Sequence, residues 1–148
     1  MRAWMMVMLL TLLAAAPAAA EQTGLAEPRP SWDNPRKVIL QLTVDDPRHV
    51  GNVLYNAINI QKFYGQDNVK VAIIAYAAGV RALLGESATT ADRIASLEEY
   101  DVEFVACGAS LEAMGKSAAD LLPGVRVVPF GIPEIMERQM RGWLYVVP

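Results

Sequence analysis

The chain has a single cysteine, Cys107, and a single histidine, His49, among its 148 residues. One cysteine excludes both an internal disulfide and a two-cysteine exchange motif. A closed zinc site takes about four ligands, which one cysteine and one histidine cannot supply. The chemistry open to Cys107 is therefore an intermolecular bond, a reactive thiol or an inert buried side chain.

Long basic runs and glycine-rich loops are absent as well. The 13 Lys and Arg residues are outnumbered by 16 Asp and Glu residues, which gives a net charge of −3. The sequence therefore lacks the cluster of basic residues that is typical of nucleic-acid binding. The turn Ala77-Ala78-Gly79 has too few glycines for a dinucleotide or phosphate-binding loop. We therefore expect neither a nucleic acid partner nor a nucleotide ligand.

Residues 1–20 have the pattern of a signal peptide. Arg2 precedes an apolar run, and Ala18-Ala19-Ala20 matches the small residues before a signal peptidase cut. The run is shorter than the roughly 20 residues that a membrane span needs, and an uncleaved anchor is the alternative. We expect cleavage before Glu21, export to a bacterial periplasm and no membrane attachment afterwards.

The rest of the chain divides into a linker and one domain. Residues 21–36 are proline-rich and favour an extended linker. Over residues 37–148, apolar runs alternate with segments of helical spacing, which predicts an α/β fold with a parallel sheet and helices on both faces. The predicted strands cover 37–44, 69–76, 102–107, 125–128 and 143–147.

Helix boundaries follow from capping residues. Asp46 followed by Pro47 predicts the start of the first helix, and Thr90 is the expected cap of a later one. Pro133 is expected to start the last helix, for which we predict three core residues. These are Ile135, Met136 and Met140.

Cys107 ends the third predicted strand. In an open parallel sheet, ligands bind beyond the carboxyl ends of the strands. Gly108 has no side chain to cover the sulfur, and the helix start that follows offers free N–H groups and a positive dipole end to a thiolate. This placement suits nucleophilic sulfur chemistry. The alternative is a buried cysteine that packs as a small apolar side chain.

His49 lies in the first turn of the first predicted helix, close in sequence to Asp45 and Asp46. One hypothesis makes His49 a general base or proton donor beside the strand ends, with Asp45 supporting it. The other makes His49 a partly exposed surface residue, and the aspartates turn and cap residues. Both hypotheses stay open at this point.

Several segments resemble the DsrE/DsrF-like family. Residues 104–115, around Cys107-Gly108, are similar to its cysteine segment, and residues 121–133 to its next strand and turn. Residues 52–57 and 139–148 are similar to its first helix and to its closing helix and strand. The resemblance spans roughly residues 37–148. It departs after the second strand, where many relatives have His-Gly and this chain has Tyr76-Ala77.

The resemblance implies a three-layer α/β/α sandwich with a five-stranded parallel sheet. It also implies association into homo-oligomers or with related subunits, and no need for a metal or organic cofactor. Better-studied relatives accept sulfane sulfur on the cysteine that matches Cys107 and pass it on as a persulfide. Cys107 would then be the sulfur-carrying nucleophile, and sulfur donor and acceptor proteins its partners.

Three hypotheses for the function follow. The first is an exported sulfur carrier acting through Cys107, rather than an enzyme that turns over a substrate. The second is a non-catalytic oligomeric binding or scaffold module in which Cys107 is merely packed. The third is an enzyme that uses His49 and Asp45, which requires these side chains to meet Cys107 in one pocket.

Overall fold

A sheet of five parallel strands lies at the centre of the computed structural model, which describes residues 21–148. The predicted signal peptide lies outside the described residues. Residues 21–35 contain no helix or strand. The strands are β1 (Arg36–Leu42), β2 (Val69–Ala75), β3 (Val102–Cys107), β4 (Arg126–Val128) and β5 (Leu144–Val146). The helices are α1 (Pro47–Tyr64), α2 (Ala88–Glu99), α3 (Gly108–Ala113) and α4 (Gly131–Met140).

The strands lie in the order β4-β3-β2-β1-β5, and every neighbouring pair is parallel. Parallel neighbours need crossover connections, and the helices supply them. The predicted fold class, an α/β fold with a five-stranded parallel sheet, is confirmed. The carboxyl ends of β1, β2 and β3 meet at one edge, where Leu42 is in register with Ala75 and Ala75 with Ala106.

Each face of the sheet carries its own core, because successive strand side chains point to opposite faces. The larger core packs under α1 and α2, and the smaller core packs under α4. The larger core includes Val38, Leu40, Leu42, Val53, Leu54, Ile73, Ile94 and Phe104. The smaller core contains Ile39, Ile74, Val105, Val128 and Ile135. None of the helices within residues 21–148 is long and apolar enough to cross a membrane.

The start of α1 agrees with the sequence prediction. The Asp46 side chain accepts hydrogen bonds from the backbone N–H groups of Arg48 and His49, and Pro47 occupies the first turn. The N–H groups of a first helical turn have no partner within the helix, so the carboxylate satisfies them. Asp46 is thus a helix cap in this structure.

The predicted cap of α2 was wrong by three residues. Ser87 is the cap, and its hydroxyl accepts from the backbone N–H of Thr90 at 3.4 Å. Thr90 is therefore the third residue after the cap and donates to it. Serine and threonine have similar cap preferences, so the two positions could not be ranked by residue type.

The predicted core of the last helix was right for one residue of three. Ile135 is buried, but Met136 and Met140 are 59% and 84% exposed. The helix begins at Gly131, and its buried positions are Gly131, Ile135 and Arg138. The inward face therefore follows a spacing of four and then three residues, which carries the two methionines outward.

Candidate functional site

Cys107 is the last residue of β3 and the residue that precedes α3. It is in register with Val128 of β4 and is 6% exposed. The chain turns from strand to helix at this residue, so its side chain sits at the carboxyl edge of the sheet. The position agrees with the sequence prediction for Cys107 and Gly108.

Four hydrogen-bond donors surround the sulfur of Cys107. Burial raises the pKa of the thiol, but hydrogen bonds from the Ser110 side chain and from the backbone N–H groups of Gly131, Ser110 and Ala109 lower it. The hydrogen bonds prevail, and the pKa of Cys107 lies below the usual value of a cysteine. A donor stabilises the charged thiolate more than the neutral thiol, which explains the direction.

The donors come from the starts of two helices. Ala109 and Ser110 belong to the first turn of α3, directly after the cysteine. Gly131 opens α4, after β4. The backbone N–H of Ala109 also donates to the carbonyl of Pro129 at 3.1 Å, which ties the two helix starts together. The sulfur therefore lies between two helix starts, and not at one as the sequence predicted.

Ser110 is held in place by a third segment. Its Oγ accepts a hydrogen bond from the backbone N–H of Ala77 at 2.9 Å. Ala77 has φ = 49°, in the left-handed region that non-glycine residues rarely adopt. Because the N–H of Ala77 occupies the oxygen as an acceptor, the hydroxyl proton of Ser110 is left to donate to the sulfur.

Two glycines let backbone approach the cysteine closely. A Cβ at Gly131 would lie 3.2 Å from the Cβ atoms of both Cys107 and Tyr76. A Cβ at Gly108 would lie 3.1 Å from the carbonyl oxygen of Val128. Both distances are tighter than ordinary van der Waals contact, so a side chain at either position would push the loops apart. The absence of a side chain is a packing requirement here.

Tyr76 lies close to Gly131, as Cys107 does, and is fixed by polar contacts. The hydroxyl groups of Tyr76 and Tyr145 both donate to Oε1 of Gln41, the first at 2.9 Å. Burial, helped by the neighbouring Tyr145 hydroxyl, raises the pKa of Tyr76 to about 12. Tyr76 is therefore neutral and a hydrogen-bond donor at any physiological pH.

The predicted supporting residues Asp45, just before α1, and His49, in its first turn, make contacts of their own. The Asp45 carboxylate forms an ion pair with Arg81 at 3.5 Å. The backbone N–H of His49 donates to the cap residue Asp46 at 3.0 Å, and its side chain is half-buried. The donors described around the sulfur do not include His49, so a role for His49 and Asp45 at Cys107 stays a prediction.

Sequence reasoning missed Ser110, Gly131 and Tyr76 as neighbours of the cysteine. Ser110 follows Cys107 closely, so its place in the first turn of the helix was a usable signal. Gly131 and Tyr76 follow β4 and β2, the strands on either side of β3. Within residues 21–148, no three His, Cys, Asp or Glu side chains are grouped so as to hold a metal ion.

The fold and this site define a class: α/β proteins with one cysteine at the carboxyl edge of a parallel sheet. Residues 42–148 match the model of the DsrE/DsrF-like family. The chain belongs to that family. None of the curated protein sequences matches it.

Three solved structures are similar. The protein of unknown function MTH1491 from Methanobacterium thermoautotrophicum is 32% identical with a TM-score of 0.72, covering 76% of this chain and 99% of that one. BT1422 of Bacteroides thetaiotaomicron, also of unknown function, is 22% identical with a TM-score of 0.61, over 76% and 94% of the two chains. The ychN protein from E. coli is 17% identical with a TM-score of 0.62, over 77% and 99%. The last two support the fold alone.

Proposed function

We propose that the protein is an exported sulfur carrier that holds sulfur as a persulfide on Cys107. The observation that carries this proposal is the set of donors from Ser110, Gly131 and Ala109 around the sulfur. A thiolate is the form that attacks sulfur, and these donors favour it. Membership of the DsrE/DsrF-like family adds support.

The transfer is an exchange between sulfur atoms. The Cys107 thiolate attacks the outer sulfur of a donor persulfide, written R–S–S⁻. A new sulfur–sulfur bond forms as the donor's bond breaks, and the donor leaves as the thiolate RS⁻. Cys107 is then a persulfide, and attack by an acceptor thiolate on its outer sulfur restores the starting state. The exchange needs no electron acceptor.

Mass spectrometry tests the proposal. We expect the protein, incubated with a persulfide donor, to gain about 32 Da per sulfur atom, with one atom on Cys107 and loss of the gain on reduction. Cys107→Ser should stay unmodified. A wild-type mass that does not change with glutathione persulfide or polysulfide as donor contradicts the proposal. The same spectrum tests export, because signal cleavage leaves a chain that begins at Glu21.

A second candidate is a scaffold module in which Cys107 is packed and unreactive. The 6% exposure of Cys107 favours this alternative. It predicts that a disulfide reagent labels Cys107 only after unfolding, and that Cys107→Ala leaves the biological activity intact. Labelling of the folded protein at a rate close to that of a free thiol supports the carrier instead.

We also propose that copies of the chain associate through α4. Its outward side carries Ile132, Met136 and Met140, which are 46%, 59% and 84% exposed. Phe130, at the start of the helix, is 61% exposed. Ile132, Met136 and Met140 recur at a spacing of four and form one apolar stripe, which Phe130 precedes. Such a stripe on a soluble protein marks an interaction surface. The stripe starts beside Gly131, so an interface there borders Cys107.

A further inference from the structure

The groove between α1 and α2 contains a cavity of about 470 Å³. Lys62 and Gln66 line it near the end of α1, and Tyr100 lines it at the end of α2. This is the end of the sheet at which the strands begin, and Cys107 lies at the opposite end. A volume of this size is within the range of small-molecule sites.

The inner wall of the cavity is apolar. Leu97 is buried in the larger core, and Ile58 packs against it. The side-chain amide of Gln61 donates to the backbone carbonyl of Tyr100 at 2.6 Å, which fastens the end of α1 to the end of α2. The walls are therefore held together in the absence of a ligand, as expected of a site that is formed in advance.

The charged groups that line the cavity are both cations, Lys62 and Arg93. Arg93 is oriented by a hydrogen bond of 3.3 Å from its Nη2 to the carbonyl of Gly51. Among residues 21–148, neither cation has a carboxylate within ion-pair distance. The chain carries a net charge of −3, so this local positive charge opposes the overall balance. An anionic group in the cavity is therefore favoured.

We propose that this cavity binds a small amphipathic anion: a short hydrocarbon chain or ring with one carboxylate or sulfonate group. The hydrocarbon packs on Ile58 and Leu97, and the positive charges of Lys62 and Arg93 attract the anionic group. The ligand is a free molecule and not a bilayer lipid, because a concave groove between two helices holds one small molecule, whereas membrane binding uses a protruding apolar face. The proposal is independent of sulfur transfer at Cys107.

Titration of the full chain with octanoate, followed by amide NMR shifts, tests the site and the ligand class together. We expect octanoate to shift the residues around the α1–α2 groove, and octylamine and octanol to bind more weakly. Equal affinity for octylamine overturns the anionic class, and shifts confined to α4 overturn the site. Sedimentation of the protein with anionic phospholipid vesicles, without octanoate shifts, overturns the free ligand.

Two variants separate the cations from the fold. Lys62→Gln and Arg93→Gln should each weaken octanoate binding by about threefold to tenfold, with little effect on octanol. Ser96→Trp should block both ligands by filling the cavity. Arg48→Gln removes an exposed cation outside the cavity and should bind as the wild type does. Lys62 is exposed, so Lys62→Gln should fold normally. It therefore tests the role of the cations even if Arg93→Gln fails to fold.

Discussion

At the residue scale, two opposing effects act on the Cys107 thiol. Burial removes water from the sulfur and disfavours the charged form, and hydrogen bonds from Ser110, Gly131 and Ala109 favour it. The balance lies with the hydrogen bonds. A buried sulfur with fewer donors would be the inert side chain of the scaffold hypothesis, so the donors support the proposed carrier.

Ser110 is the donor whose removal tests this balance. Ser110→Ala should raise the pKa of Cys107, because the lost hydroxyl stabilised the thiolate. The rate of alkylation should then fall about threefold to tenfold at neutral pH and match the wild type at high pH, where both proteins are thiolates. A pH profile of alkylation, with thiolate absorbance as a second measurement, provides the check.

Controls distinguish this effect from a general loosening of the site. Ser110→Thr keeps a hydroxyl and should restore the wild-type profile. Ser96→Ala removes an exposed hydroxyl on α2 and should change nothing. If Ser110→Ala alkylates faster at every pH, the hydroxyl restricts access to the sulfur and the electrostatic account is wrong.

The sequence was sufficient to place Cys107 and Gly108 but not their surroundings. A cysteine after an apolar run and before glycine indicates a strand end, which needs only local information. Gly131 approaches the sulfur because β4 lies beside β3. That approach depends on the three-dimensional packing of separate segments, and no local pattern encodes it.

At the element scale, α4 is attached to the sheet by charge as well as by apolar packing. Arg138 is 4% exposed, donates to both carboxylate oxygens of Glu103 at 2.6 and 2.9 Å, and bonds Glu134 at 2.7 Å. Its guanidinium carbon lies 4.9 Å from the ring centre of Trp143. A buried arginine is tolerated because each charged donor has a partner.

Removing Glu103 should therefore destabilise the protein. Burial raises the pKa of Glu103, but the hydrogen bond and charge of Arg138 and the charge of Arg126 lower it more, so the net shift is downward. Glu103→Gln leaves the buried Arg138 with Glu134 as its remaining carboxylate partner and should lower the free energy of unfolding by about 2 kcal/mol at neutral pH. Denaturant unfolding of both proteins measures the difference.

The pH dependence of that difference has a definite sign. A lowered carboxyl pKa stabilises the fold above the usual pKa of glutamate, and this contribution is lost as the pH falls through the lowered value. The gap between wild type and Glu103→Gln should therefore shrink in acid. Glu137→Gln, which breaks an exposed pair with Arg141 at 3.9 Å, is the matched control and should have no measurable effect. An equal loss in both variants contradicts the account.

The face of α4 was the largest error of sequence analysis at this scale. Methionine is apolar and arginine is charged, so residue type favoured Met136 and Met140 as core residues. The pairing of Arg138 with Glu103, which lies on β3, reverses that preference. Sequence spacing alone does not show that the Glu103 carboxylate lies against the inner face of α4.

At the scale of the whole molecule, the alternation of strands and helices was enough to predict the fold. β1, β2 and β3 are covered on both faces and have nearly continuous apolar sequences, which is the usual signature of a parallel sheet. The edge strands β4 and β5 have three residues each, and their predicted bounds were longer.

The helical layer on the α4 face of the sheet is thin, and the proposed association of subunits is based on this. Within residues 21–148, the α4 face of the sheet is covered by one helix of 10 residues, whose outward stripe is apolar. We expect the wild-type chain to run as an oligomer in size-exclusion chromatography with light scattering. Met136→Glu should convert it to monomers, because a carboxylate buried in an apolar interface has no partner.

Tyr55→Glu is the matched control for this experiment. Tyr55 is 55% exposed on α1, close to the 59% of Met136, and the substitution adds the same charge to a different face. The control should keep the wild-type mass. A monomeric wild type, or an oligomer that survives Met136→Glu, contradicts association through α4. An oligomer broken by Tyr55→Glu instead places the interface on α1, and the site at Cys107 is then remote from any subunit boundary.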